Sequence, residues 1–223
     1  LDAALPIAAN VGLYGGFAGT ETARDQADAE ANRVIFTGDF AKENYWRANG
    51  DTGSNEGLVL AFDAEGNATY NPPNPEAGEY WQAVSLTNDT DYAFEAYNTG
   101  TNFVAGGITF ASFDQVLSQI TSQTGMTFTN CRVVGITGTA FTMSAAKGAF
   151  ADCVFEGDAQ AVSCTDSTAT GMRFDNCVFR KNYTTTCLLY LSSGSWNFSD
   201  CEFIDNIITG TGASKGLFVS YAG

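Results

Sequence analysis

Apolar and polar positions in the second half of the chain recur with a period of about 23 residues, which is typical of a repeat architecture. Each period opens with Phe and has Asn or Asp at its third position and Cys at its fourth. A Val or Phe follows two residues after the Cys. The pattern is written FTNCRV, FADCVF, FDNCVF and FSDCEF, and its cysteines are 22, 24 and 24 residues apart. This even spacing predicts a structural repeat rather than a set of separate sites.

The parity of these positions predicts two short strands joined by a corner. The Cys and the apolar residue two places later share one face of a strand, because alternate side chains of a strand point the same way. The Phe lies three places before the Cys, so a one-residue corner must separate them. Asn and Asp tolerate the left-handed backbone of such a corner. The predicted ladders are the phenylalanines Phe128, Phe150, Phe174 and Phe198, the corner residues Asn130, Asp152, Asn176 and Asp200, and the inward cysteines Cys131, Cys153, Cys177 and Cys201.

Repeat length and composition together predict the fold class. The repeats are rich in Asn, Gly, Thr and β-branched residues, which disfavours helical repeats of similar length. We therefore expect an all-β, single-stranded right-handed parallel β-helix, a solenoid with about 23 residues per turn and turns about 4.8 Å apart. Weaker matches to the period, among them GLVLAF from residue 57 and AVSL from residue 83, extend the expected stack to roughly eight to ten turns.

Residues 1–223 are expected to form one parallel β-helix domain that is a segment of a longer solenoid. Three stretches break the period and are predicted to be loop insertions at corners, near residues 18–32, 41–57 and 63–82. The first has a Glu, Ala and Asp content that permits a short helix. The other two are rich in turn-forming residues and lack the alternation of a strand.

Two of these insertions carry aromatic residues away from the Phe ladders. Exposed aromatic rings stack on sugars or anchor a partner, so these residues are the candidate ligand-binding set. The alternative is that their rings fold back over the apolar flank of the solenoid and keep the long loops ordered. The set is Tyr45, Trp46, Tyr70, Tyr80 and Trp81.

Charge and composition exclude several functions. The formal net charge is −15, with 25 acidic and 10 basic residues, which makes nucleic acid and anionic membrane surfaces poor partners. The chain has no His, which excludes Ser-His-Asp and Cys-His mechanisms. No apolar run approaches the length of a membrane span, so membrane insertion of this segment is not expected. The acidity is typical of solubility in an extracellular medium, with cation binding as the alternative.

The cysteines are expected to be free thiols packed in the core. Stacked side chains with parallel Cβ vectors suit disulfide torsions badly, and a buried free Cys behaves as a small hydrophobe. Disulfide bridges and metal binding are the alternatives. Cys164 and Cys187 are 23 residues apart and are expected to be neighbours on another face. If any pair is oxidised, we expect it to be this one.

No catalytic residue is predicted. A glycoside hydrolase needs two carboxyl groups flanking one bond, and the aspartates form no recognisable doublet on one strand. Lyases of this shape use Lys or Arg, and the only close basic set is Arg173, Arg180 and Lys181. A corner separates Arg173 from Arg180, so the spacing does not establish that they face a common groove, and RKN at 180–182 is expected to cover the outer surface as solvated charge. No cofactor is expected apart from calcium. Residues 49–57 and 87–92 supply oxygen ligands for that ion without matching the twelve-residue calcium loop.

Several short motifs resemble a known family. FRKN at 179–182 and FIDN at 203–206, with GGI at 106–108, resemble the F-x-x-N and G-G-A-I repeats of bacterial polymorphic outer-membrane proteins. Residues 13–40 look like the opening turns of secreted right-handed β-helix proteins on bacterial cell surfaces. FEGD at 155–158 departs from the pattern because it lacks the closing Asn. The resemblance implies a secreted or outer-membrane-associated adhesin-type module, with no catalytic residues to carry over.

The function expected from these observations is that of a non-catalytic, extracellular or cell-surface module. It would act in adhesion, in binding an extracellular glycan or a protein of a host or neighbouring cell, or as a structural spacer. One alternative is a polysaccharide lyase or glycoside hydrolase of β-helix fold. Another is a filament subunit that self-associates end to end through open strand edges.

Overall fold

The structure is a computed structural model, and it describes most of the chain from residue 102 onward and shorter stretches before it. The described residues are 5–6, 10–38, 45–48, 58–59, 61–62, 68–69, 81–84, 92–95, 102–120, 125–143, 147–164, 170–192, 195–210 and 215–220. Within them the regular structure is β-strand, apart from a single 3-10 turn at Arg24–Gln26 inside the first predicted insertion. The predicted all-β parallel solenoid is confirmed.

The strands are short, as expected for a chain that turns a corner every few residues. The first nine are β1 (Leu5–Pro6), β2 (Val11–Tyr14), β3 (Val34–Thr37), β4 (Tyr45–Ala48), β5 (Leu58–Val59), β6 (Ala61–Phe62), β7 (Ala68–Thr69), β8 (Trp81–Val84) and β9 (Tyr92–Glu95). The next nine are β10 (Phe103–Gly106), β11 (Ile108–Ala111), β12 (Gln115–Ile120), β13 (Gly125–Thr129), β14 (Arg132–Val134), β15 (Thr139–Met143), β16 (Lys147–Ala151), β17 (Val154–Glu156) and β18 (Gln160–Cys164). The last eight are β19 (Thr170–Asp175), β20 (Val178–Arg180), β21 (Tyr183–Thr184), β22 (Cys187–Leu191), β23 (Ser195–Ser199), β24 (Glu202–Ile204), β25 (Ile207–Ile208) and β26 (Gly216–Ser220).

Three parallel sheets form the walls of the solenoid. Sheet A has the order β1-β9-β12-β15-β18-β22-β26, sheet B the order β2-β10-β13-β16-β19-β23, and sheet C the order β3-β11-β14-β17-β20-β24. Each turn runs from sheet B through sheet C to sheet A and returns to sheet B one position along. In the last two turns, β21 and β25 pair with each other between sheets C and A.

Stacked aromatic rings fill the core. Phe128, Phe150, Phe174 and Phe198 are in register in sheet B, with ring centroids 5.2, 5.1 and 4.9 Å apart along the stack. A second stack in sheet C has centroid spacings of 4.7 Å and consists of Phe155, Phe179 and Phe203. Each such pair adds about 0.5–1.5 kcal/mol beyond its buried area, so equal side chains at equal positions reinforce the register of the turns.

The corner between sheets B and C has the left-handed backbone that its Asn and Asp residues tolerate. The φ angles are 50° at Asn130, 54° at Asp152, 50° at Asn176 and 52° at Asp200. The corner amides donate to the next turn, as from Asn130 N to the carbonyl of Ala151 at 2.9 Å. These corners reverse the side-chain parity, which lets both the Phe before them and the Cys after them face the core.

The segment between β3 and β9 differs from the sequence-based prediction. The matches near residues 57 and 83 were expected to supply further turns, but β5 and β8 both pair antiparallel with β4 and form a separate three-stranded sheet. β6 and β7 form a two-stranded antiparallel sheet of their own. Among the described residues, sheets B and C therefore contain six strands each, so the estimate of roughly eight to ten turns was wrong. Short alternating strands look alike in sequence whichever direction their partner runs.

Candidate functional site

The cysteine ladder is part of the packed core. Cys131, Cys153 and Cys177 are at most 1% exposed, and Cys201 at the last turn is half-buried. Each thiol lies near two carbonyl oxygens, as for Cys153 Sγ at 3.3 Å from Ala151 O and 3.5 Å from Phe128 O. None of the six cysteines, which all lie among the described residues, forms a disulfide. Burial, reinforced by the thiols of the adjacent turns, raises the pKa of Cys153, which keeps its nucleophilic thiolate form scarce.

The expectation that Cys164 and Cys187 are neighbours was wrong. Cys164 is in register with Leu191, while Cys187 lies beside Gln160, whose Nε2 is 3.2 Å from the Cys187 Sγ. The turn that contains β21 is longer than the one before it: Val162 pairs with Leu189, 27 residues later, whereas Phe141 pairs with Val162, 21 residues later. A spacing of 23 residues therefore does not bring two residues together at this point of the chain.

The basic residues considered for a lyase do not converge on one surface. Arg173 lies in sheet B and pairs with Asp175 at 2.6 Å. Arg180 lies in sheet C and donates to the carboxylate of Glu156 in the preceding turn, at 3.0 and 2.7 Å. Among the residues that the structure describes, no group of three His, Cys, Asp or Glu side chains could hold a metal ion. The candidate calcium segment 49–57 lies outside the described residues, as does nearly all of 87–92.

The aromatic residues of the insertions are only partly described. Tyr45 and Trp46 belong to β4 and Trp81 to β8, whereas Tyr70 and Tyr80 lie outside the described residues. In the antiparallel pair of β4 and β8, Trp46 is opposite Ala83 and Ala48 is opposite Trp81. The two tryptophans thus occupy positions of the same parity on adjacent strands, two residues apart along the register.

A polar cavity of about 310 Å³ lies at the corner between sheets C and A. We call it the threonine groove and define it by residues 137–139, Gly157, Ala159, Gln160 and residues 183–186. Three successive turns contribute, because these segments each connect a strand of sheet C to the following strand of sheet A. The volume is at the lower end of the range of small-molecule binding sites.

The side chains of the threonine groove are uncharged and partly fixed. Gln160 donates through Nε2 to the Cys187 carbonyl at 3.0 Å and accepts from the Thr139 hydroxyl at 2.7 Å, so its amide is held in one orientation. The Tyr183 hydroxyl lies 3.2 Å from Thr209 Oγ1. Thr185 and Thr186 are exposed. The groove therefore offers hydroxyl and amide groups beside one aromatic ring, which suits a ligand with many hydroxyl groups.

Charged groups occur only beside the groove, not among its lining side chains. Asp114 Oδ1 accepts from the Thr137 hydroxyl at 3.3 Å, and Lys215 Nζ donates to the Thr185 carbonyl at 2.8 Å. The carboxylate and the ammonium group thus hold segments of the groove in place. Sequence reasoning missed this site, although a signal existed in the threonine run at 184–186, which follows an F-x-x-N motif at a corner.

A second cavity of about 230 Å³ lies between the first insertion and sheet B. There the Arg24 guanidinium is 4.7 Å from the centre of the Tyr14 ring and donates to its hydroxyl at 2.8 Å. The arginine is thus already engaged by the tyrosine, which leaves this cavity less suited to an anionic ligand than its charge alone indicates.

Comparison with known proteins finds no family model, curated protein or solved structure that matches this chain. The resemblance to outer-membrane repeats therefore depends on the motif residues alone and stays a prediction. No helix among the described residues has the length and apolar character needed to cross a membrane.

Proposed function

We propose that the chain is a non-catalytic binding module of an extracellular or cell-surface protein, and that it binds an uncharged, hydroxyl-rich chain such as a neutral polysaccharide. The single observation that carries this proposal is the threonine groove. It combines fixed hydroxyl and amide groups with the ring of Tyr183 and has no charged lining side chain. Sugars are recognised by hydrogen bonds around their edges and by apolar contact with an aromatic ring.

The fixed polar groups of the groove favour binding. Gln160 is already oriented by Thr139 and by the Cys187 carbonyl, so a ligand does not have to order its side chain. Ordering a long side chain at an interface costs about 0.5–1.5 kcal/mol, and a pre-oriented amide avoids that cost. The groove also extends over three turns of the solenoid, which favours an elongated ligand that lies along the solenoid axis.

Several carboxylates of the described residues are already engaged by other side chains, which favours a binding role over hydrolysis. Glu156 is paired with Arg180, the Asp152 carboxylate accepts from the Asn176 amide at 2.7 Å, and Asp175 is paired with Arg173. A glycoside hydrolase needs an acid and a second carboxylate on opposite sides of the scissile bond. The lining residues of the groove include neither group.

Titration calorimetry with neutral and acidic polysaccharides tests this proposal. We expect binding of a neutral polysaccharide, and we expect Tyr183→Ala to weaken it about tenfold, because one aromatic contact is worth about 1.4 kcal/mol. Tyr190→Ala is the matched control, since Tyr190 lies in sheet A outside the groove. Equal affinities of the two variants, or no binding across the panel, would contradict the proposal.

The same experiments separate the alternatives. Binding that is lost in Trp46→Ala or Trp81→Ala but kept in Tyr183→Ala would place the site on the three-stranded sheet of β4, β5 and β8. New reducing ends or new unsaturated products would indicate a hydrolase or a lyase. A particle length that increases with protein concentration would favour the end-to-end filament.

A further inference from the structure

A buried carboxyl group lies directly beneath the threonine groove. Asp158 is 0% exposed, although its neighbours in sequence, Gly157 and Ala159, both line the groove. Its Oδ1 accepts from the amide of Ile136 at 2.9 Å. Its Oδ2 is buried without any hydrogen-bond partner. A carboxylate oxygen left in this state is costly, because an unpaired buried acceptor loses its water without gaining a donor.

The neighbouring turns show what normally occupies this position. Asn182 Oδ1 accepts from the Asp158 amide at 2.8 Å, and Asn182 Nδ2 donates to the carbonyl of Phe155 at 3.1 Å. Asn206 repeats both contacts one turn later, with the Asn182 amide at 3.1 Å and the Phe179 carbonyl at 2.8 Å. Each Asn thus accepts through its oxygen and donates through its nitrogen. We call this stack of Asn182 and Asn206 the asparagine ladder.

Asp158 occupies the equivalent position one turn before Asn182. Its Oδ1 takes the part of the Asn oxygen, since it accepts from the equivalent amide in the preceding turn. Its Oδ2 therefore takes the part of the donating nitrogen. The carbonyl equivalent to those of Phe155 and Phe179 belongs to Val133, which is in register with Phe155. Only a protonated Oδ2 can donate to a carbonyl oxygen.

We propose that Asp158 is a neutral carboxylic acid that completes the asparagine ladder, and that its proton holds the floor of the threonine groove in place. Loss of the proton would set a carboxylate oxygen against a carbonyl oxygen inside the core. Ile136 would transmit the disturbance, because it donates to Asp158 and its carbonyl accepts from Ala159 in the groove at 2.9 Å. The inference adds a form of regulation to the proposed function and, as far as ligand binding is concerned, depends on it.

The charges around Asp158 favour its neutral form. Burial raises the pKa of the Asp158 carboxyl well above its ordinary value, the hydrogen bond from Ile136 opposes this rise, and the charge of Glu156 adds to it. Glu156 is itself paired with Arg180 at 2.7 Å and lies 4.0 Å from Lys181. The groups that contact Asp158 from the adjacent turns, Ile136 and Asn182, do not titrate.

The direction of the pH dependence follows from this rise. An Asp in an unfolded chain has a pKa of about 3.9, so the contribution of the neutral Asp158 to stability is fully present below that pH. It is lost as the pH rises from there through the pKa of the folded state. Acid therefore stabilises the groove floor through this residue, in contrast to the usual surface carboxylate.

Urea unfolding of the ligand-free protein between pH 4 and pH 8 tests the proposal, with Asp158→Asn as the variant. The amide supplies the donor at every pH, so the variant should be more stable than the wild type at pH 7 and close to it at pH 4. The unfolding constant of the wild type, divided by that of Asp158→Asn, should rise about tenfold per pH unit between the unfolded-state and folded-state pKa values of Asp158. Parallel pH profiles would overturn the proposal.

A second measurement does not depend on the stability of any variant. The carboxyl carbon of Asp158, followed by NMR in the wild-type protein, should change its chemical shift only at a pH well above that at which an exposed Asp titrates. A titration near pH 4 would overturn the proposal. For any polysaccharide that binds, the affinity of the wild type should fall as pH rises while that of Asp158→Asn stays constant. Absence of any ligand would refute the proposed function but would leave both ligand-free tests intact.

Discussion

The asparagine ladder provides the most direct quantitative test of how the turns are held together. Asn182 is 1% exposed and makes hydrogen bonds to the Asp158 amide, to the Phe155 carbonyl and to Asn206 Oδ1. Asn182→Ala removes the side-chain groups and leaves the first two partners buried. Asn206→Ala is the matched control, since Asn206 makes the equivalent contacts to the Asn182 amide and the Phe179 carbonyl but is only half-buried.

The magnitude follows from the number of groups left without a partner. Each buried donor or acceptor that loses its hydrogen bond costs about 1–3 kcal/mol, so Asn182→Ala should lower the free energy of unfolding by about 2–6 kcal/mol. In Asn206→Ala, water can reach the released groups, and the cost should be about 1 kcal/mol. The difference between the two variants isolates the effect of burial from that of the hydrogen bonds themselves.

Urea unfolding followed by circular dichroism measures both losses, and hydrogen exchange locates them. The amide of Asp158 should exchange faster in Asn182→Ala, while the amide of Asn182 should do so in Asn206→Ala. The reasoning would be refuted if the two variants were equally destabilised. It would also be refuted if exchange at Asp158 were unchanged in Asn182→Ala, because the side chain would then not be the partner that protects this amide.

Two further predictions concern the thiols and the close approach of the first two turns. Cys201 is the only ladder cysteine that is not fully buried, so it should be alkylated before Cys131, Cys153 and Cys177 in the native protein. Mass spectrometry of timed samples checks this order, and labelling of Cys153 first would contradict it. Gly15→Ala should destabilise the fold by about 1–3 kcal/mol, because a Cβ at this position would clash with the Gly107 carbonyl oxygen. Thermal unfolding measures the loss, and an unchanged melting temperature would show that the two turns can separate freely.

Much of the solenoid could be predicted from sequence because its corners and inward positions each accept only a few residue types. A left-handed corner selects Asn or Asp, and an inward ladder selects one apolar residue type at each level, as at Asn176 and Phe174. Such constraints repeat, so a single chain contains several copies of the same signal. The direction of strand pairing requires no particular residue type in a short strand, which is why β5 and β8 were assigned to the solenoid.

The candidate site was harder to predict because it depends on contacts between turns. Asp158 looked like a departure from the F-x-x-N motif, yet the carboxyl group has the shape of the amide and occupies its position in the ladder. The threonine groove combines segments from three turns, and one of these segments belongs to the turn that contains β21. Sequence shows neither which corners are adjacent nor where one turn is longer than the next.

The left-handed corners also determine how such a chain can change its length. Asp152 and Asn176 have nearly the same backbone φ, and the Phe, Cys and carbonyl groups around them repeat from turn to turn. A whole turn can therefore be removed or duplicated between two corners, and the remaining ladders still meet in register. A gain or loss of one residue within a strand would instead turn the Phe or the Cys toward solvent. The molecule is thus adjustable in steps of one turn, about 4.8 Å in height.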